Sequence, residues 1–213
     1  MGFDKLFAEI GGRVVLAHSI AAFERAESVA DIVIVAREER HREVEQMISI
    51  EDFRKVRSIV AGGDRRQDSV RLGLQNLAGN VQFVAVHDAA RPLITPQQIE
   101  RVYQVCRVNG AAASAEPVTD TLKYADVDLS VTGSVDRHQL FAMQTPQMFE
   151  IKLLRNAYDA IFAKNLAVTD EVSAVEQAGH KIFLVPNEDA NFKITYPQDL
   201  RLAEFVLRER AQT

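Results

Sequence analysis

Short runs of consecutive apolar residues recur along the chain. They are separated by stretches in which apolar residues return every third or fourth position. Ile32–Ala36 (IVIVA), Val56–Ala61 (VRSIVA), 83–87 (FVAVH) and Ala111–Pro117 predict strands. The intervening segments 38–50, 69–77 and 97–108 predict helices; in the second, Val70, Leu72, Leu74 and Leu77 fall at helical spacing. Strands that are apolar throughout, alternating with helices, specify a mostly parallel sheet covered on both faces. The right-handed crossover preference then favours a doubly wound α/β layout. Further helices are expected at 151–162, 169–178 and 198–210, and further strands at 181–185 and 192–195.

One stretch breaks the rhythm. Residues 120–147 hold two short polar strand candidates, 122–125 and 130–135, joined by ADVDL. They predict a β-hairpin arm leaving the sheet, within a single domain spanning 1–213. The opening residues also depart from the pattern. Residues 1–6 lead to a Gly11-Gly12 turn and a helix over 14–26, with no strand ahead of them. In doubly wound folds the first strand usually lies mid-sheet, with the ligand loop at its carboxyl end.

Composition narrows the function classes. The net charge of -5, from 25 basic and 30 acidic residues, gives no overall attraction to nucleic acid or an acidic membrane. A phosphate ligand must therefore be held by local basic groups. The single cysteine, Cys106, excludes an intramolecular disulfide and suits a reducing compartment. No apolar run is long enough to span a membrane, and residues 1–12 carry no signal-peptide pattern, so a cytoplasmic location is expected.

Four clusters can carry chemistry. Gly62-Gly63-Asp64 follows a strand and leads through Arg65, Arg66 and Asp68 to Ser69 at a helix start. Such a turn can approach an anion or the polar edge of a base, or it can be a plain capped turn. His87-Asp88-Ala89-Ala90-Arg91-Pro92 ends another apolar strand, where open α/β sheets bind ligands. Asp88 there suits a Mg²⁺ bridging phosphate oxygens, and Arg91 suits a phosphate in fork geometry; a surface ion pair accounts for both equally. Hydroxyls and an arginine bracket the arm at Thr119, Thr121, Arg137 and Thr145. Lys193 lies in an apolar segment between Phe192 and Ile194, and Lys5 near the start presents the same choice between edge protection and phosphate binding.

Taken together, GGDRRQDSV, VHDAARPLIT, GAAASAEPVTDTLK, VDRHQLFAMQTPQMF, TDEVSAVEQAG and NFKITYPQDLRLAE resemble the successive motifs of the 2-C-methyl-D-erythritol 4-phosphate (MEP) cytidylyltransferases, in family order and spacing. The resemblance implies a Rossmann-like nucleotidyltransferase sheet whose arm, 120–147, interlocks two subunits. It implies transfer of the cytidylyl group of CTP to MEP in isoprenoid biosynthesis, releasing pyrophosphate, without a covalent enzyme intermediate. By motif, Lys5 and Lys193 correspond to lysines at the reacting phosphate, Asp88 to the Mg²⁺ carboxylate, and Gly63, Asp64 and Ser69 to the cytidine site. Arg91, Thr121, Arg137 and Thr145 correspond to the methylerythritol phosphate pocket, the last three expected from the partner's arm.

The family opens with a strand and an A-A-G-x-G-x-R-M loop, whereas this sequence starts at the position of that Met and reads Phe3-Asp4-Lys5 where the family has Pro-Lys-Gln. Missing that strand and loop, the chain is expected to be poorly stable or catalytically weak. Two other readings stand beside the first: a ribitol 5-phosphate cytidylyltransferase, and a catalytically impaired dimeric sugar-phosphate-binding paralogue.

Overall fold

The computed structural model describes residues 4–212, so Phe3 of the Phe3-Asp4-Lys5 departure lies outside the described residues. The described chain begins with a small hairpin, β1 (Glu9–Ile10) and β2 (Arg13–Val14), around the Gly11-Gly12 turn. Helix α1 (Val15–Arg25) follows and buries Leu16, Ile20 and Phe23. Then come β3 (Ile32–Ala36), α2 (His41–Ile50), β4 (Val56–Ala61), α3 (Arg66–Gln75) and β5 (Phe83–Val86), close to the predicted segments. Helix α4 (Pro96–Asn109) starts where its sequence dictates. Thr95 accepts from the Gln98 N–H, the Gln98 side chain returns the bond, and Pro96 occupies the first turn, where no N–H is needed. The second half adds β6 (Ala111–Pro117), β7 (Lys123–Ala125), β8 (Val131–Ser134), β9 (Phe141–Glu150), α5 (Ile151–Ala163), α6 (Glu171–Gln177), β10 (Phe183–Pro186) and α7 (Pro197–Gln212).

The main sheet has the order β10-β6-β9-β5. β10 pairs parallel to β6, and β9 runs antiparallel to both β6 and β5. The strands β3 and β4 form a separate parallel pair, and β7 and β8 form the projecting hairpin. Side chains of β5 alternate between two cores. Phe83 and Ala85 pack with α1 and α4 residues, whereas Val84 and Val86 pack with Leu74 of α3 and the α5 and α6 residues. Helices therefore cover both faces, as the apolar strands require.

Two sequence expectations need correction. Residues 141–150 form a long strand within the main sheet, where the sequence predicts an arm continuing to 147. Gln144, Thr145 and Gln147 are nevertheless buried, because internal partners satisfy them. Gln147 Oε1 accepts from the Glu171 and Val172 N–H groups at 3.1 and 3.0 Å, and its Nε2 donates to Asp170 at 2.9 Å. Polar groups so matched erase the apolar signature of a buried strand. Conversely, residues 192–195 belong to no sheet; the Ile194 N–H donates to the Ala90 carbonyl at 2.8 Å.

Among the described residues, β3 pairs only with β4 and β5 only with β9, and both strands line one cavity of about 1980 Å³.

Candidate functional site

The cavity between β3 and β5 runs on to the ends of β4 and β5. There it is lined by Lys5, Gly62, Gly63, Asp64, Arg66, Ser69 and Asp88. The loop after β4 turns tightly into α3. A Cβ on Gly63 would lie 2.5 Å from the Asp68 Cβ, so only glycine fits without moving the helix start. The Gly63 N–H donates to Ser69 Oγ at 3.1 Å, and the Asp68 carboxylate caps the first turn by accepting from the Arg65 N–H at 3.1 Å and from its guanidinium at 2.8 Å. Asp64 is exposed at the tip of this loop.

Asp88 is the electrostatic centre. Its carboxylate accepts from Lys193 Nζ at 3.0 Å, lies 3.4 Å from Arg66 and 3.7 Å from Arg91 Nε. Burial pushes the Asp88 pKa up, but Lys193 and the two guanidinium groups outweigh it, holding the carboxyl below its ordinary value. Asp88 and the Glu171 carboxylate paired with Arg66 balance two of these three cations, which leaves one positive charge in excess and suits an anionic ligand. Lys5 joins the group through the segment that carries Lys193: its Nζ donates to the Ile194 carbonyl at 2.8 Å.

The backbone at Asp88 is set by two interior groups. Its N–H donates to Thr145 Oγ1 at 3.0 Å, and Thr145 Oγ1 lies 3.0 Å from His87 Nδ1. With the hydroxyl proton directed to Nδ1, the imidazole carries its own proton on Nε2, which reaches the Arg91 carbonyl at 3.2 Å. Burial lowers the His87 pKa to about 4, so the ring is neutral and acts as a strut.

The structure redistributes several sequence-expected roles. Lys193 pairs with Asp88, Lys5 bonds the Ile194 carbonyl of the Lys193 segment, and Lys5, Gly63, Asp64, Ser69 and Asp88 line one cavity. Arg91 does not present a free fork: its Nη1 donates to the Asn191 carbonyl at 2.8 Å and its Nη2 lies 3.4 Å from the Met143 carbonyl. It braces the segment leading to Lys193. Thr145 is buried in β9 beside its own chain's Asp88 and is not on the arm. Thr121 and Arg137 are exposed at the base of the β7–β8 hairpin, where Arg137 Nη1 donates to the Thr119 carbonyl, and neither lines the cavity.

Sequence reasoning missed Arg66, Glu171 and Tyr158. Glu171 is fully buried and takes both arms of Arg66, at 2.6 and 2.8 Å, while the Tyr158 hydroxyl donates to it at 2.9 Å. Arg66 loses hydration there, but Glu171 more than compensates and raises its pKa. This buried anchor fixes the guanidinium that faces Asp88. Arg66 and Glu171 lie in two of the quoted motifs, yet 105 positions apart, and no spacing rule joins them.

Among the described residues no three His, Cys, Asp or Glu side chains group as a metal cage, and no helix is long and apolar enough to cross a membrane. A single carboxylate does fit a divalent ion whose remaining ligands are phosphate oxygens and water.

Comparison with known proteins agrees with this geometry. Residues 1–209 match the family model described as IspD, 2-C-methyl-D-erythritol 4-phosphate cytidylyltransferase. The enzyme of that name from Halalkalibacterium halodurans is 36% identical over 209 residues, covering 98% of this chain and 91% of the relative. The Salinibacter ruber enzyme of the same name is 38% identical over 203 residues, covering 95% and 85%. Among solved structures, the 2-C-methyl-D-erythritol 4-phosphate cytidylyltransferase of Thermus thermophilus superposes with a TM-score of 0.83 at 32% identity, covering 96% of this chain and 94% of that one. The 4-diphosphocytidyl-2C-methyl-D-erythritol synthase of Anaerococcus prevotii gives 0.85 at 29% identity, covering 94% and 88%. With the motifs and the fold in agreement with these matches, the chain belongs to the 2-C-methyl-D-erythritol 4-phosphate cytidylyltransferase family.

Proposed function

We propose that this chain transfers the cytidylyl group of CTP to 2-C-methyl-D-erythritol 4-phosphate, giving CDP-methylerythritol and pyrophosphate. The observation that carries the reading is that Lys5, Asp88 and the Gly62-Gly63-Asp64 loop line one cavity, with Lys193 bonded to Asp88 and Lys5 bonded to the carbonyl of the next residue, Ile194. A phosphate oxygen of the acceptor attacks the α-phosphorus of CTP, the bond to the bridging oxygen breaks, and pyrophosphate leaves. No protein nucleophile is needed. The protein's work is positioning and charge neutralisation.

The loop residues Gly63, Asp64 and Ser69 bind the cytidine. Lys5 and Lys193 neutralise charge growing on the α-phosphate. Asp88 orients Lys193 and would hold a Mg²⁺ that withdraws charge from the phosphates when bound. Arg66, anchored on Glu171, keeps Asp88 in place. Arg91 secures the Lys193 segment through the Asn191 carbonyl. Thr121 and Arg137, exposed on the arm of one chain, complete the acceptor pocket of a second chain in a cytoplasmic homodimer.

The test is pyrophosphate release with CTP, Mg²⁺ and either MEP or ribitol 5-phosphate. MEP is expected to support turnover at least tenfold faster than ribitol 5-phosphate, with a dependence on Mg²⁺, and the active species is expected to sediment as a dimer. A preference for ribitol 5-phosphate would overturn the substrate assignment. Binding of either sugar phosphate without CTP binding would favour a non-catalytic paralogue.

A further inference from the structure

Strand β10 ends at Pro186, and the chain then runs to Lys193 outside any helix or sheet. Among the described residues no backbone–backbone hydrogen bond holds residues 188–193. Side chains hold them instead. Arg91 donates to the Asn191 carbonyl at 2.8 Å, and Arg210 to the Ala190 carbonyl at 2.9 Å. The tightest clamp is Gln144, buried in β9. Its Oε1 accepts from Asn187 Nδ2 at 3.0 Å and from Asn191 Nδ2 at 3.1 Å, which uses both lone pairs of the oxygen. One atom of the main sheet thus ties down both ends of the 187–191 loop, two residues ahead of Lys193.

The polarity of this clamp is dictated by its surroundings. Gln144 Nε2 donates to Glu116 Oε2 at 2.9 Å, and an ionised carboxylate can only accept. The amide oxygen of Gln144 must therefore face the loop. On the far side, Asn187 Oδ1 accepts from Gln98 Nε2, and Gln98 Oε1 is committed to the Thr95 N–H at the start of α4. Asn187 must then turn its amino group toward Gln144. Asn191 Nδ2 divides its two protons between Gln144 and the Thr145 carbonyl, the latter at 2.9 Å, while its Oδ1 has no partner. Donors alone orient it. Beyond Lys193 the Ile194 N–H is held by the Ala90 carbonyl at 2.8 Å. Lys193 is thus suspended between two anchors, and Gln144 makes the first of them.

We propose that Gln144 is a positioning residue: by clamping Asn187 and Asn191 it sets the Lys193 ammonium against Asp88. Being buried, Gln144 acts through Lys193 and not on a substrate. The kinetic consequence rests on the nucleotidyl-transfer reading; the placement of Lys193 Nζ at 3.0 Å from Asp88 does not. A displacement of about 1 Å in a group aimed at the reacting atoms can lower a rate by up to about 100-fold. The loss falls on kcat, because Lys193 answers charge that grows in the transition state.

Two variants of the full chain test this. Gln144→Met keeps the length of the side chain and removes its acceptor. The exchange of Gln144→Glu with Glu116→Gln reverses the bond between those two residues, keeps an acceptor facing both asparagines and leaves the net charge unchanged. With CTP, MEP and Mg²⁺, Gln144→Met is expected to lower kcat about tenfold with the KM for CTP within about threefold, and the exchange to stay within about threefold of wild type. In a Lys193→Ala background, Gln144→Met is expected to change kcat by less than about twofold, since the group it positions is gone. A crystal structure of Gln144→Met is expected to show Lys193 Nζ more than about 4 Å from the Asp88 carboxylate. If Gln144→Met does not fold, Asn187→Ala opens the same clamp from its half-exposed end and is read in the same way. An undisturbed Lys193–Asp88 contact, an equal loss of kcat with and without Lys193, or an exchange variant as slow as Gln144→Met would overturn the proposal. Absence of pyrophosphate release by the wild type would instead defeat the nucleotidyl-transfer reading, and the Lys193–Asp88 distance in the variant would still decide whether Gln144 positions Lys193.

Discussion

Asp88→Asn is expected to lower CTP-dependent turnover about 10- to 100-fold, with a smaller change in the KM for the sugar phosphate. The replacement keeps the shape and one acceptor oxygen, so the Thr145 contact to the residue 88 N–H survives. What disappears is the charge. Lys193 loses the anion that orients its Nζ at 3.0 Å, and a divalent ion held there would lose the Asp88 carboxylate. The positive surplus around the cavity grows, because Arg66 and Arg91 then face a neutral amide. Ground-state binding of the triphosphate need not weaken under these conditions and can tighten. The deficit therefore belongs in kcat, where alignment and transition-state charge are felt. Steady-state kinetics with varied CTP and Mg²⁺ separates the two. Wild-type turnover in the variant would remove Asp88 from the mechanism.

The second large effect concerns stability. Arg66→Leu is expected to cost about 3–5 kcal/mol, because it strands a carboxylate that has no access to water. Glu171 is fully buried, and Arg66 supplies two of the three side-chain hydrogen bonds it accepts, leaving the Tyr158 hydroxyl when the guanidinium is gone. For a chain of this size the loss corresponds to a Tm lower by about 6–20 °C. Leucine fills much of the aliphatic volume, so the penalty isolates the unpaired charge. The double replacement Arg66→Leu with Glu171→Gln removes that charge as well and is expected to recover a substantial part of the loss. Urea denaturation of the two variants and the wild type gives the comparison. A cost below about 1 kcal/mol for Arg66→Leu would show that the pair acts as an exposed ion pair does.

Much of the fold could be read from local pattern because the relevant physics is local. The IVIVA and FVAV strands announce themselves by unbroken apolar character. β9 could not be read in this way. Its burial depends on Gln147 meeting the start of α6, a partnership created by tertiary structure. The same holds for the 192–195 segment. Its apolar residues suggest a strand, but the Ala90 carbonyl, not a sheet, is what fixes its backbone.

The site shows the same division. Motif order points to Lys5, Asp88, Lys193 and the Gly62-Gly63 turn; in the structure Lys193 pairs with Asp88, and Lys5, Asp88 and the turn line one cavity. The roles of Arg91 and Thr145 were not recoverable. A guanidinium at the end of an apolar strand reads as a phosphate fork, yet here it is spent on two backbone carbonyls. A threonine beside the arm reads as part of the arm, yet its hydroxyl is held between the residue 88 N–H and His87. Which atoms a polar side chain has already satisfied is a property of the packed state alone.

The most direct check is a crystal structure of the chain with Mg²⁺ and a non-hydrolysable CTP analogue. The account predicts Lys5 Nζ and Lys193 Nζ within about 3.2 Å of oxygens on the α-phosphate, with the pyrimidine against the Gly63–Asp64 backbone. A nucleotide bound with its α-phosphate beyond the reach of either ammonium group would contradict it.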